Sequence, residues 1–520
     1  QRHNIGHRNE RRTQTMPQPH PICVPCGLLL LAAPAVSKIL LGTPPRGWED
    51  FDSHTQASYN ETYARAAAAV MAEEVLPLGY DQYIIGGWSM GGQVDDQGIP
   101  VRNTSKFYTV LDEYGRPVPD NVRFPSSAVT PDTCHCFPRN CTDPRQQTCT
   151  DPVCVCPEGA RSLRPFASQV EKMGLKLGLW TWRGVHMGAY YHKLKVKGTN
   201  YTIDEIVDQK PRNCGFGPWY PVNASHPGAK YYYDSLYDLF VDQWGIGFVK
   251  ADCEDTRRLD EILLQSQAAD KARGGVYLSY SPGTFGPDAA TGQWVSLHQA
   301  ATMYRITSDF HGGWGELASD RGSFTRAALH ANASNIGLNG SFPDLDMMPL
   351  GQIFCDRYGP ATVDDPKCDC MNCNGGGMAY TIASLWAISR SPLLLGGALP
   401  LDAPTMSIIG NPGFDLIHTH SRNQTVIAFH QPNISCKRCN QTGWQVWKAD
   451  LMPNQLNADK ALMVFNVGDS VDKYFVTWSQ LGLQPSPEQR NHHANHISSS
   501  SSSSSSRTIC AISVDIRLCC

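Results

Sequence analysis

An excess of charge of either sign is what this sequence most plainly lacks. Across 520 residues the formal net charge is −4 and 18% of positions are charged, and no basic face stands out, which argues against a nucleic-acid-binding protein. Long apolar runs are missing as well. The apolar stretch Cys26 to Ala35 is too short to cross a bilayer and reads as the core of a signal peptide within a leader spanning residues 1–38, so no membrane span is expected. Metal motifs are thin. Cys370-x-x-Cys373 and Cys436-x-x-Cys439 have no compact second pair at the spacing a zinc site wants, and neither a metal nor a cofactor is expected.

Cysteine, by contrast, is plentiful. The chain has 19, grouped as Cys134, Cys136, Cys141, Cys149, Cys154 and Cys156 and as Cys355, Cys368, Cys370 and Cys373, and such usage points to an oxidising compartment. Glycosylation acceptors at Asn60, Asn103, Asn140, Asn200, Asn223, Asn332, Asn339, Asn423, Asn433 and Asn440 point the same way. The expected route is secretory, ending outside the cell, in a wall, in a vacuole or in a lysosome.

Hydrophobic content of 41% supports a large core, and the order of the apolar runs suggests its form. Short buried-strand patterns recur at 39–48, 80–88, 175–182, 244–253, 276–282, 303–309, 336–347 and 393–399. Helix-favouring stretches such as Asn60 to Leu76, Arg161 to Met173 and Lys230 to Trp244 lie between them. That alternation predicts an α/β fold, a (β/α)8 TIM barrel over residues 39–420, interrupted by a Cys-rich insertion at 131–157. From 421 to 484 strand patterns follow one another without helices and predict a C-terminal antiparallel β-sandwich domain. Residues 485–520, with His492-His493-x-x-His496 and the run Ser498 to Ser506, read as a low-complexity tail.

Two of these strands end in a carboxylate. Trp244 to Cys253 closes on Lys250-Ala251-Asp252-Cys253, and Met303 to Asp309 carries Arg305 four residues before Asp309. Asp252 alone could simply cap the helix that follows. Two strand-end acids at one barrel mouth instead fit glycoside hydrolysis, in which one attacks the anomeric carbon while the other protonates the departing oxygen. Lys250 lies two residues from Asp252 along the strand and so shares its face. Asp344-x-Asp346 could be a metal pair of a nucleotide-sugar enzyme, but the barrel pattern contradicts that fold.

Together with Thr43-Pro44-Pro45-Arg46-Gly47-Trp48, Phe342-Pro343-Asp344-Leu345-Asp346-Met347 and Ser391-Pro392-Leu393-Leu394, these segments resemble, in order, those of the melibiases, the α-galactosidase-like glycoside hydrolases of family 27. The resemblance covers roughly residues 42 to 420 and looks closest to the plant-type branch, linked to α-galactosidase and β-L-arabinopyranosidase activity. It implies that Asp252 is a nucleophile and Asp309 an acid/base. Lys250, Arg305, Asp346, Asp344, Trp180, Tyr280, Trp88 and Phe51 are then expected to bind a glycan or glycoside substrate. Cys214 is the implied disulfide partner of Cys253. The resemblance also implies a C-terminal domain longer than the one here, and it leaves oligomeric state open, a homodimer included.

Two departures concern specificity. The family's strand-two acids, which hold sugar hydroxyls, fall at Gly87 and Trp88, and its strand-five Glu corresponds to Tyr280. A bulky Trp88 near the usual hydroxymethyl position would favour a pentopyranose such as L-arabinopyranose. A secreted sugar-binding protein on a weakened hydrolase barrel is the alternative of a different class.

Overall fold

A computed structural model describes residues 41–54, 59–91, 108–131, 133–137, 153–208, 212–213, 218–255, 258–282, 293–319, 322–332, 335–354, 369–371, 377–430, 443–454, 458–467, 477–482 and 508–514. The leader, Cys214, Cys368, Cys373, Asn103, Asn140, Asn433, Asn440 and the histidine and serine runs of the tail lie outside them.

Eight strands form one sheet: β1 (Arg46–Glu49), β2 (Gln82–Ile85), β3 (Lys176–Trp182), β4 (Phe248–Glu254), β5 (Tyr277–Pro282), β6 (Met303–Arg305), β7 (Phe342–Asp344) and β8 (Leu393–Leu395). Every pairing in it is parallel, and each strand from β2 to β7 lies beside its predecessor in sequence. β8 pairs with β1, and a parallel bridge from Met348, just past β7, to Leu395 brings the other edge round to meet it. The sheet therefore returns on itself as an α/β barrel, as the strand and helix alternation implies.

Side-chain alternation sorts residues between two apolar layers. Ile84, Trp180, Phe248, Met303, Met347 and Leu394 cluster together inside the ring. The intervening residues Tyr83, Leu179, Val249, Ala251, Leu278, Tyr280 and Tyr304 join the larger core shared with the helices. Because successive strand residues point to opposite faces, Phe248, Lys250 and Asp252 fall on the inner side together. The inside is tight. A Cβ on Gly178 would sit 2.8 Å from Ile84 Cγ1 and 2.9 Å from Phe248 Cβ.

The first helix, Glu61–Val70, starts where Asn60 accepts a hydrogen bond from the Tyr63 N–H and runs through five alanines. It is stopped past Leu76-Pro77-Leu78 by Gly79 in the left-handed region, at φ 84°, a conformation glycine adopts without steric cost. After β2 the Cys-rich stretch carries two short strands among its described residues. His135–Phe137 and Val153–Cys156 pair antiparallel and are joined by disulfides Cys134–Cys156 and Cys136–Cys154. Val153–Cys156 also extends Tyr108–Asp112 in parallel.

Beyond the barrel, β9 (Ser421–His430), β10 (Trp444–Leu451) and β11 (Ala458–Asn466) make an antiparallel meander. Trp447, Ala449, Ala461, Met463 and Phe465 on one face join the main core, where Phe324 meets Phe465 with ring centroids 5.2 Å apart. Val446 and Leu462 form a small cluster on the other face. A second sheet facing it is not among the described residues. One correction concerns the tail: β12 (Thr508–Val514) pairs in parallel with β11. The sequence 485–520 reads as low complexity because of its serine run, and the β-branched, apolar segment behind that run supplies a strand.

Candidate active site

β4 ends at the mouth of the ring, where its register with β5 shifts between Asp252 and Glu254 and Cys253 takes φ 59°. This local irregularity turns the chain and leaves the Asp252 carboxylate doubly held. Oδ1 accepts from the Cys253 backbone N–H at 2.7 Å and Oδ2 from Trp180 Nε1 at 3.2 Å. Burial pushes the Asp252 carboxyl above its ordinary range, against the pull of the Lys250 ammonium and the Cys253 N–H.

Lys250 shares the inner face with Asp252, as the strand period requires, but its direct partner is a residue the sequence reading passed over. Glu49, at the end of β1, accepts from Lys250 Nζ at 2.7 and 3.0 Å, and both side chains are buried. Burial raises the Glu49 carboxyl to about 7 against the attraction of Lys250. For Lys250 burial works against the charge, but Glu49, Asp346 and Asp252 outweigh it and hold the ammonium well above its usual value. The same β1 exit carries Asp50, which takes the Gly86 N–H at 2.9 Å on both oxygens and is raised to about 8 by burial.

Arg305, at the end of β6, is the hub of the opposite wall. Its guanidinium contacts Asp346 from the β7 exit and donates to Asp309 Oδ1 at 2.8 Å. Asp346 has φ 89° and accepts from the Phe310 N–H at 2.7 Å, while its own N–H donates to Asp344 Oδ1 at 2.8 Å. A non-glycine residue in that backbone region is a strained position of the sort that clusters at functional sites. Asp309 is 82% exposed. Partial desolvation pushes its carboxyl up, but the charge and hydrogen bond of Arg305, with Lys250 and His311 behind them, outweigh it and the net shift is downward. Solvent at the open face screens this pair.

Between these walls lies a hollow of about 300 Å³ counted out to its mouth, lined by Phe51, Trp180, Lys250, Asp252, Ser281, Arg305, Asp309, His311, Asp346 and Met347. Seven of the expected residues thus come together: Asp252, Asp309, Lys250, Arg305, Asp346, Trp180 and Phe51. Asp344 sits behind them, fully buried, orienting Asp346.

Two expected contacts are corrected. Trp88 points into the layer outside the ring, where its Nε1 donates to the Trp180 carbonyl at 3.0 Å and its ring meets Phe240 and Trp244 edge-on. It leaves the pentose argument without a side chain to stand on. Tyr280 faces outward too, fully buried, with its hydroxyl donating to the Ile262 carbonyl at 3.2 Å, and its neighbour Ser281 takes the inner position. The implied pairing of Cys253 with Cys214 falls outside the described residues.

Sequence reasoning also missed His311, whose Nδ1 lies 3.0 Å from Asp52 Oδ1. The signal was available in Asp50-x-Asp52, two acids closing a strand in the same manner as Asp252. Among the described residues no three or more His, Cys, Asp or Glu side chains are grouped so as to hold a metal ion.

A ring of parallel strands with carboxylates converging on a sugar-sized hollow at the strand C-termini is the arrangement of barrel glycosidases. Solved structures make the relation more specific. A β-L-arabinopyranosidase of glycoside hydrolase family 27 from Geobacillus stearothermophilus, in complex with arabinose, is similar with a TM-score of 0.60 and 25% identity over 79% of this chain and 82% of that one. A structure described as a putative α-N-acetylgalactosaminidase from Bacillus halodurans C-125 is similar at TM-score 0.55 and 25% identity, over 79% and 81% of the two chains. An α-galactosidase from Saccharomyces cerevisiae shares the fold, at TM-score 0.52 and 15% identity over 86% and 80%. No family model matches the sequence, and no curated protein does. The chain is thus similar to solved, melibiase-like glycoside hydrolases of family 27.

Proposed function

We propose that the protein is a retaining glycoside hydrolase that removes terminal α-D-galactosyl or β-L-arabinopyranosyl residues by double displacement. The observation that carries this reading is that Asp252 and Asp309 open onto one hollow from β4 and from the β6 exit, each held by its own donor. A glycone seated there meets Asp252 Oδ on one side and Asp309 on the other. Asp252 bonds to the anomeric carbon as the glycosidic bond breaks, and Asp309 gives its proton to the leaving oxygen. Asp309 then takes a proton from water, whose oxygen displaces Asp252 and regenerates both groups.

Arg305 holds Asp309 toward its ionised form. A substrate hydroxyl that draws on Arg305, together with desolvation of the covered mouth, would raise that carboxyl into the range of a general acid. Trp180 and the Cys253 N–H fix the carboxylate of Asp252, and Lys250 favours its ionised form. Routing through the secretory pathway is part of the proposal and is supported by the two disulfides. So is a division into a barrel at 39–420 and a C-terminal β domain, of sandwich form, from 421.

Incubation with an activated 2-deoxy-2-fluoroglycoside, followed by peptide mass analysis, tests the mechanism. The expected product is a glycosyl adduct on the peptide containing Asp252, absent in Asp252→Asn. Galactose or L-arabinose binding without any adduct or turnover would reject hydrolysis in favour of sugar binding alone.

A further inference from the structure

His311 stands two residues past Asp309 and lines the hollow, its side chain 35% exposed. One face of its ring lies over Phe51, centroids 6.4 Å apart and planes 22° from parallel, and Phe354 is 5.7 Å away on a tilt. Its Nδ1 is committed to Asp52 Oδ1. Asp52 is itself wholly buried, its backbone carbonyl accepting from the Phe354 N–H at 2.6 Å and its Oδ2 accepting no hydrogen bond among the described residues. A buried carboxylate with one ion-pair partner fixes that partner firmly, because moving it would strand the charge. The ring is thus locked, and the nitrogen it can still offer to a ligand is Nε2.

The surroundings say what that nitrogen does. The charged groups around the ring are Asp52 from the β1 exit, Asp346 from the β7 exit, Asp309 on its own segment, and Glu316, which takes the His311 backbone N–H, while Lys250 and Arg305 line the same hollow. The acids prevail, and chiefly through the Asp52 hydrogen bond they raise the imidazole to about 9 against burial. At neutral pH the ring is an imidazolium with both nitrogens protonated. Meanwhile strand two brings no acid to the hollow, and Trp88 has turned away from it.

We propose that His311, locked by Asp52, reads the glycone by donating an Nε2–H hydrogen bond to a ring hydroxyl of the bound pyranose. The proposal rests on the glycosidase reading and names the specificity group of the same site. A charge-assisted bond in a partly closed hollow is worth about 10–100-fold in affinity.

Calorimetric binding of free L-arabinose and D-galactose, with steady-state kinetics on their nitrophenyl glycosides, tests it. His311→Ala is expected to weaken the favoured monosaccharide about 10–100-fold and to raise KM more than it lowers kcat, with His311→Gln, which can still donate, recovering part of the loss. Wild-type affinity is expected to fall as pH rises through about 9, and Asp52→Asn to bring that fall to lower pH. Unchanged affinity in His311→Ala, or the same alkaline profile in wild type and Asp52→Asn, overturns the proposal while leaving hydrolysis intact. Absence of both binding and turnover in the wild type overturns the glycosidase reading and the His311 role with it.

Discussion

Asp309 carries the sharpest expectation at the scale of single residues, because its proton is needed only when the leaving group is poor. Asp309→Asn should lower kcat/KM about 10²–10⁴-fold on an alkyl or glycosyl leaving group and far less on an activated aryl one. Paired assays of the two substrates check this, and an equal loss on both would remove Asp309 from the acid role. Glu49 is a different kind of residue. Glu49→Ala leaves the Lys250 ammonium buried without its nearest counter-ion, a change worth about 3–5 kcal/mol of stability, measurable by denaturant unfolding. Asp50 supplies a pH dependence. Its carboxyl is raised from 3.8 to about 8, so the native state favours the protonated form. The stability it contributes is complete at low pH and drains away as pH climbs from near 4 through 8. Wild type should therefore lose melting temperature relative to Asp50→Asn as pH is raised across that window, and parallel curves would show Asp50 ionising freely in the fold. The role of Glu49 was not legible from Trp48-Glu49-Asp50-Phe51-Asp52. A polar run after a short apolar one reads as loop, and nothing local reveals that Glu49 faces a lysine from the fourth strand. Asp252 and Asp309 were legible as strand-end acids because each follows a short, mainly apolar run, broken by Lys250 in one and by Arg305, Thr307 and Ser308 in the other.

At the scale of elements, the parallel strands declare themselves as apolar runs bounded by glycine and polar residues, since both faces are covered. What the runs conceal is which face each residue takes. A slip of one position exchanges the inside of the ring for the helix layer, and that is the difference between Tyr280, turned outward, and Ser281, which lines the hollow. Trp88 lies past the end of β2, where the strand period no longer governs direction, and its indole finds the aromatic pair Phe240 and Trp244. The crowding at Gly178 gives the element-scale test. Gly178→Ala forces a methyl between Ile84 and Phe248 and should cost about 1–3 kcal/mol, read as a lower unfolding midpoint with an unchanged denaturant slope. A neutral result would mean that β2 and β4 can part inside the ring.

At the scale of the whole molecule, the disulfides and the barrel stabilise different things. Cys134–Cys156 and Cys136–Cys154 close segments with separations of 22 and 18 residues and staple the same two strands, so together they should be worth less than twice the roughly 3 kcal/mol of one such loop. Reduction is expected to loosen the excursion first. Limited proteolysis with and without dithiothreitol should then cut at the His135–Phe137 and Val153–Cys156 strands while far-ultraviolet dichroism from the barrel persists, and loss of both together would show that the excursion braces the ring.

The pairing of β1 with β8 bears on how the molecule comes into being. During synthesis Arg46–Glu49 is the first strand of the ring to emerge, yet its second neighbour is not made until the ribosome has passed Leu395. Until then a nascent chain bearing most of the barrel holds an open edge at β1, competent to pair with another copy. Late closure of this kind favours slow maturation, with folding assistance lasting until the final barrel strand has cleared the exit tunnel.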